Sequence, residues 1–335
     1  MKKLAAIPVL LVICFSFPAF SLEDVRDPRN AASNEEFLEY HVPSDYPTIQ
    51  SALDAAVVSE GYNVCIIVEE GEYREAVTAN GLKNLRLIGS KAKILPPPDF
   101  VSTKPPVEDN FLGSSIQLNN CENFIVEGFI FIGDDFVEST VYSYPMGNAI
   151  LSYNSSGKIS HNIIFNYFDG ISFEVNNLRW MKGEISDNYI YNCLWSGILA
   201  TGSYNLRIHK NKITFTVPKK ISISVGIWTD GGIGIISENH ITSYKSVDYL
   251  PQQKTISGSD FLLTKFHFMG HVDYQVFDNI LEHSAAGTKF SYSGMAADKP
   301  SRFLRKTLRI YNHFISIDQD NNTKDHSNIV MLRTE

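Results

Sequence analysis

The sequence predicts an all-β fold, a right-handed parallel β-helix (a solenoid) with a short N-terminal capping helix, on three observations. First, an Asn recurs with apolar residues at fixed offsets. Asn162, Asn188, Asn211, Asn239, Asn279 and Asn312 are followed two residues later by Ile164, Ile190, Ile213, Ile241, Leu281 and Phe314. Three residues before them stand Ile159, Ile185, Ile208, Ile236 and Val276, with the register slipping by one at Ile310. Second, a Gly-Ile pair opens a further strand at Asp169-Gly170-Ile171, Ser196-Gly197-Ile198 and Val225-Gly226-Ile227. Third, 335 residues that are 44% hydrophobic and 20% charged suffice for one large folded domain and exclude a disordered or coiled-coil chain. Self-similarity of this kind marks stacked repeats. A propeller would need a longer and more even period of four antiparallel strands.

The elements follow in chain order. Met1-Lys2-Lys3, the apolar run Leu4–Phe20 broken by Pro8 and Pro18, and the small residues Ala19 and Ser21 read as a secretory signal peptide. Cleavage after Ser21 predicts a secreted or periplasmic protein. Residues 22–41 form an N-terminal extension, 42–317 the β-helix and 318–335 a loose polar tail. Thr48 is the expected N-cap of a helix running to Val58, with Ile49, Leu53, Ala56 and Val57 on one face. That face would cover a first rung built from Val64–Val68 and Leu85–Ile88, since solenoid ends need caps.

Each repeat is then strand, Asn bend, strand, loop, strand. The two apolar columns lie five residues apart, an odd separation that would put them on opposite faces of a straight strand. A bend with Asn in the left-handed conformation reconciles them, and stacked Asn side chains would bond rung over rung. Gly128, flanked by Ile125 and Ile130, fits the same frame. Variation falls in the loops 96–113, 134–146, 214–224, 242–260 and 291–306.

Charge and cysteines narrow the function. A net charge of −8 argues against a protein built to grip nucleic acid or anionic lipid. No stretch after the leader approaches the length of a membrane-spanning helix. Cys65, Cys121 and Cys193 follow the leader amid apolar or aromatic neighbours, an odd count without tight spacing, which fits buried thiols. Asn154 and Asn321 open glycosylation sequons.

The segments Val42-Pro-Ser-Asp-Tyr-Pro-Thr-Ile-Gln-Ser-Ala-Leu-Asp-Ala-Ala, Glu70-Gly-Glu-Tyr-Arg-Glu-Ala-Val and Asn84-Leu-Arg-Leu-Ile-Gly resemble the N-terminal part of pectin methylesterases. The chain as a whole is similar to the pectin lyase-like superfamily of right-handed β-helices. The catalytic segments of the esterases, Gln-Asp-Thr-Leu and Asp-Phe-Ile-Phe-Gly, are missing. So are the polygalacturonase pattern and the Asp-Pro-His-Asp of mannuronan epimerases. The resemblance therefore implies a fold, a carbohydrate context and a groove along the outer face of the Gly-Ile strand, without naming a reaction.

Side-chain alternation lists what would face that groove. One outward column reads Ser172, Leu199, Trp228, His267 and Lys289, and a second reads Glu174, Thr201, Asp230, Met269 and Ser291, with Tyr153 preceding Glu174. Asp230 would lie one rung from His267 and two from Glu174, the latter a separation of about 9–10 Å. That suits an inverting glycosidase pair, with Trp228 as a sugar platform and Tyr153 and Thr201 as further substrate contacts. An Asp–His pair could serve as a general base, and His267 or Lys289 could abstract the α-proton of a uronate. A polar outer strand face also needs no function at all.

A further column beside the Asn residues, His161, Asp187, Lys210, Glu238 and Asp278, alternates in charge and reads as a solvated stabilising stripe. Asp134, Asp135 and Asp169 are the residues that could gather around Ca²⁺, although Asp169-Gly170 is equally an ordinary turn. The expectation is an exported protein that acts on a polysaccharide or oligosaccharide, as a lyase or glycoside hydrolase, or binds one without catalysis.

Overall fold

The computed structural model describes residues 37–59, 63–97, 113–133, 147–175, 181–202, 204–217, 225–245, 259–264, 272–283, 291–293, 308–317 and 323–332. Residues 1–21, read from the sequence as a signal peptide, and the Asp134–Asp135 pair lie outside the described residues.

The strands form three stacks, and the chain visits them in turn. Sheet 1 stacks Val77–Asn80, Ser114–Asn119, Asn148–Tyr153, Asp169–Glu174, Ser196–Thr201, Val225–Asp230, Ser259–Thr264 and Ser291–Ser293 in parallel. Sheet 2 runs from Phe37–Val42 through Asn63–Val68, Leu85–Gly89, Glu122–Glu127, Ser156–Ser160, Met181–Ser186 and Tyr204–His209 to Gly232–Ser237. Sheet 3 stacks Gly71–Arg74, Ala92–Leu95, Ile130–Ile132, Ile163–Phe165, Tyr189–Tyr191, Lys212–Val217 and His240–Lys245. The long strand Val272–His283 continues both sheet 2 and sheet 3. This is the right-handed parallel β-helix expected from the repeats, right-handed as parallel crossovers are.

The core lies between the stacks. Ile150, Ile171, Ile198 and Ile227 of sheet 1 meet Ile159, Ile185, Ile208 and Ile236 of sheet 2, and Ile164, Ile190, Ile213 and Ile241 of sheet 3, all fully buried. The Asn corner joining sheets 2 and 3 is a continuous ladder. Asn162 Nδ2 donates to Asn188 Oδ1 at 3.1 Å, Asn188 to Asn211 and Asn211 to Asn239 at 3.0 Å, and Asn239 to Asn279 at 2.9 Å. The same Oδ1 atoms accept the backbone N–H of the preceding Asn.

The left-handed residue is not the Asn but its predecessor. Gly128, His161, Asp187, Lys210, Glu238 and Asp278 all have φ between 53° and 80°. The Asn side chains instead fill the inner corner, where each binds carbonyl groups on both sides of the turn; Asn188 Nδ2, for example, reaches both Ile159 O and Ser186 O at 3.0 Å. Because Gly128 takes the bend, Phe129 takes the Asn place. The inward residues of that rung are accordingly Val126 and Phe131, paired with Ile159 and Ile164, and not Ile125 and Ile130. The charged stripe is thus also the row of bends, solvated as expected, with Lys210 Nζ 4.0 Å from Glu238.

The cap is the helix Ile49–Val58, and Thr48 is its N-cap, exchanging bonds with Ser51. The Glu75 carboxylate accepts the N–H groups of Ile49 and Gln50. Ile49, Ala52, Leu53 and Ala56 are buried, whereas Val57 is 48% exposed, one position off the expected face. Gln50 closes the edge of sheet 1 by bonding the Thr78 N–H and carbonyl with its side-chain amide. Val64–Val68 and Leu85–Ile88 prove to be neighbouring rungs of one sheet, and Phe37–Val42 adds a strand before them. Within the stretch read as a tail, Thr323–Leu332 pairs antiparallel with Leu308–Ile317. Cys65, Cys121 and Cys193 are free and buried, and burial pushes all three thiols up.

Candidate functional site

Sheet 1 presents its outer face through alternation. With Ile171 and Phe173 inward and fully buried, Ser172 and Glu174 project the other way. Register then aligns Tyr153, Glu174, Thr201 and Asp230 in one column, each half-buried, as the sequence reading places them. The neighbouring column holds Leu151, Ser172, Leu199 and Trp228. Glu174 and Asp230 are two rungs apart with Thr201 between them, about 9–10 Å along the stack.

One rung further the expectation fails. The strand pairing with Val225–Asp230 is Ser259–Thr264, so Leu262 stands over Trp228 and Thr264 over Asp230, where His267 and Met269 were expected. Ser291 pairs with Leu262 and so belongs to the Trp228 column, leaving Ser293 over Thr264. Counting back from Val276 assigns this rung to residues 266–269, whereas the strand in register with Val225–Asp230 is Ser259–Thr264. His267 and Lys289 themselves lie outside the described residues.

Two features absent from the sequence reading complete the face. Phe168 and Trp195 immediately precede the strands that begin at Asp169 and Ser196. Their rings stack at 5.4 Å and 15°, and Trp195 in turn stacks on Trp228 at 5.8 Å and 29°. Phe168 is buried, so the row is anchored at one end and half-buried at the other. Beside it runs a buried polar row, Ser114, Asn148, Asp169 and Ser196, in one register column. Ser196 Oγ donates to Asp169 Oδ1, Ser172 Oγ donates to Asn148 Oδ1 at 2.6 Å, and Asn148 Nδ2 donates to Ser114 Oγ at 3.4 Å. The signal for both rows was present in the sequence as the repeated unit aromatic-polar-Gly-Ile, at Phe168–Ile171 and Trp195–Ile198.

Burial sets the proton state here. It lifts the Glu174 carboxyl to about 7. It lifts Asp169 to about 7 as well; the Ser196 hydrogen bond opposes that rise and the Glu174 charge adds to it. A carboxyl raised to about 7 still carries its proton on a large share of molecules at neutrality and can serve as a proton donor. Among the described residues no cluster of three or more His, Cys, Asp or Glu side chains could hold a metal ion. No helix of the described residues is long and apolar enough to cross a membrane.

No family model matches the chain, and no curated protein matches it. Solved structures do. A pectin methylesterase in complex with a hexasaccharide is 13% identical, with 88% of this chain and 86% of that one covered at a TM-score of 0.49. The DFA-IIIase of Arthrobacter chlorophenolicus A6 in complex with DFA-III is 12% identical, covering 88% and 90%, at 0.47. PfbA, a surface adhesin of Streptococcus pneumoniae, is 11% identical, covering 84% and 95%, at 0.36. At such identities no side chain of a site carries over.

Proposed function

We propose that the outer face of sheet 1 binds a polysaccharide or oligosaccharide and, where it cleaves, does so by acid–base hydrolysis between Glu174 and Asp230. The observation that carries this is the pairing, on one face, of an aromatic platform with a carboxyl that burial raises to about 7. The face of an indole offers apolar area to a sugar ring. Glu174 would give its proton to the glycosidic oxygen as the C–O bond breaks. Asp230, two rungs away, would take a proton from the water whose oxygen joins the anomeric carbon. The separation leaves room for that water, near the upper limit for inversion. Tyr153 and Thr201 border the same column as substrate contacts. His267 and Lys289 are the residues proposed for the lyase variant of the chemistry, in which a base removes the α-proton of a uronate.

Export belongs to the same proposal, with Ser21 as the last residue of the leader; the N-terminus of the mature protein tests it. The activity test is a panel of neutral and acidic polysaccharides with residues 22–335, with Ca²⁺ or EDTA. Reducing ends report hydrolysis and ultraviolet absorbance reports unsaturated uronates. Hydrolysis lost in Glu174→Gln and Asp230→Asn supports the reading. Unsaturated products lost in His267→Ala would replace it with the lyase. Glycan retained without cleavage leaves a binding surface, and no retention by any glycan removes the proposal.

A further inference from the structure

We infer that Asp169 is a positioning residue: its hydrogen bond from Ser196 clamps two rungs together where Phe168 and Trp195 emerge, and so sets the plane of the Trp228 platform. The inference deepens the carbohydrate reading and rests on it for the meaning of the platform, though the clamp itself can be measured without any ligand.

The geometry is local and specific. Asp169 and Ser196 are register partners, 6% and 0% exposed, and each directly follows one ring of the stack. Backbone bonds already join these rungs, from Trp195 N to Phe168 O at 2.8 Å and from Leu194 N to Tyr167 O at 2.9 Å. They fix the spacing of the chains but not the rotation of the strand starts. The side-chain bond adds that constraint one residue beyond the rings. Immediately after it come Gly170 and Gly197. A Cβ on Gly170 would lie 2.5 Å from Gly197 O, and one on Gly197 would lie 2.7 Å from Gly226 O. The strands therefore approach too closely at this point for a side chain to brace the corner from within, and the bracing falls to Asp169 and Ser196.

The choice of an acid needs a reason, because the equivalent places in adjacent rungs hold Asn148 and Val225. A buried hydroxyl donor needs an acceptor, which a carboxyl oxygen supplies and the apolar Val225 does not. A simple packing role would be served equally by an apolar residue such as Val225, and that difference makes the inference testable.

Circular dichroism of the Trp bands reads the stack, since closely stacked indoles couple. Trp195→Phe and Trp228→Phe should each remove the coupled signal and thereby assign it. Ser196→Ala and Asp169→Ala should reduce it by half or more, whereas Asp169→Asn, whose amide oxygen can accept the same bond, should restore it. On a glycan that the wild type retains, Ser196→Ala should weaken affinity about fivefold, the scale of one hydrogen bond. A full Trp signal in Ser196→Ala overturns the clamp, as does an Asp169→Asn variant that behaves like Asp169→Ala. If Asp169→Ala does not fold, Ser196→Ala decides alone. Failure of all glycans to bind, with the signal changes as expected, would remove the carbohydrate reading and leave the clamp standing.

Discussion

Two corners of the β-helix bury polar side chains, and they do so in opposite ways. At the corner between sheets 2 and 3, the same residue recurs from Asn162 to Asn279, and every amide bonds the next. At the start of sheet 1, the register column reads Ser114, Asn148, Asp169, Ser196 and Val225, with no two neighbouring rungs alike. The first corner is satisfied by repetition. The second contains a carboxyl lifted to about 7, because burial outweighs what one serine returns. Uniform buried polarity stabilises a solenoid; a departure from uniformity marks a place where the fold tolerates a cost.

The sharpest way to break this contrast is to remove one rung of the uniform corner. Asn211→Leu would strip the acceptor from the N–H and Nδ2 of Asn188 and remove the Nδ2 donor from the Ile185 and His209 carbonyls. Several buried groups lose partners together, so a loss of about 3–5 kcal/mol is expected in denaturant unfolding. A loss below about 1 kcal/mol would show that the ladder decorates the corner without holding it.

The second test uses pH. Asp169 and Glu174 rise from ordinary values of 3.8 and 4.5 to about 7. Between those limits the folded protein holds more protons than the unfolded chain, so these two groups make stability fall as pH rises. Their destabilisation is absent below about pH 4 and complete above about pH 8. Relative to Asp169→Asn/Glu174→Gln, the wild type should lose a few kcal/mol between pH 5 and 8, read as a widening gap in Tm. Parallel Tm curves for the two proteins would contradict the assigned proton states. The same titration predicts that any hydrolysis declines above about pH 7, as Glu174 loses the proton it must donate.

A smaller effect is expected at Gly197, whose Cβ would meet Ile213 Cγ2 at 2.6 Å and Gly226 O at 2.7 Å. Gly197→Ala should cost about 1–3 kcal/mol by overpacking. The Trp signal should weaken too, because the strand starts would be pushed apart. Unchanged stability would mean that the rungs can slide at this corner.

What the sequence displayed, and what it hid, follows from the same contrast. The Asn, Ile and Gly-Ile columns were legible because one residue type serves one geometry in rung after rung. Repetition also misled: the bend was assigned to the repeated Asn, although the left-handed position belongs to the varied residues His161, Asp187, Lys210, Glu238 and Asp278. Where Phe129 replaced the Asn, the frame slipped by a residue. Tyr153, Glu174, Thr201, Asp230 and Trp228 were placed correctly because short turns separate them from aligned columns. The rung above Asp230 was misassigned because counting back from Val276 sets no phase for the strand Ser259–Thr264. Trp195 and the pairing of Asp169 with Ser196 were not legible because their pattern occurs only twice, and Asp169 was read instead as a candidate Ca²⁺ residue or a turn.

The varied bend residues supply the smallest and most discriminating test. Lys210 holds φ at 57° and is exposed, and its link to Glu238 at 4.0 Å is an exposed ion pair worth little. A left-handed Lys costs about 1–2 kcal/mol relative to its preferred conformations, a cost that Asn largely avoids. Glycine would relieve the same strain but would also free the unfolded chain, which offsets most of the gain. Lys210→Asn should therefore stabilise by about 0.5–1 kcal/mol, and Lys210→Gly should be close to neutral. The order of the two variants matters more than their size. If glycine proved better than Asn, the corner would be strained beyond what Asn tolerates, and the ladder inside it would be holding the bend against the backbone's preference. If Asn is better, the bend is an ordinary left-handed turn, and the buried ladder serves to satisfy the carbonyls that the turn exposes.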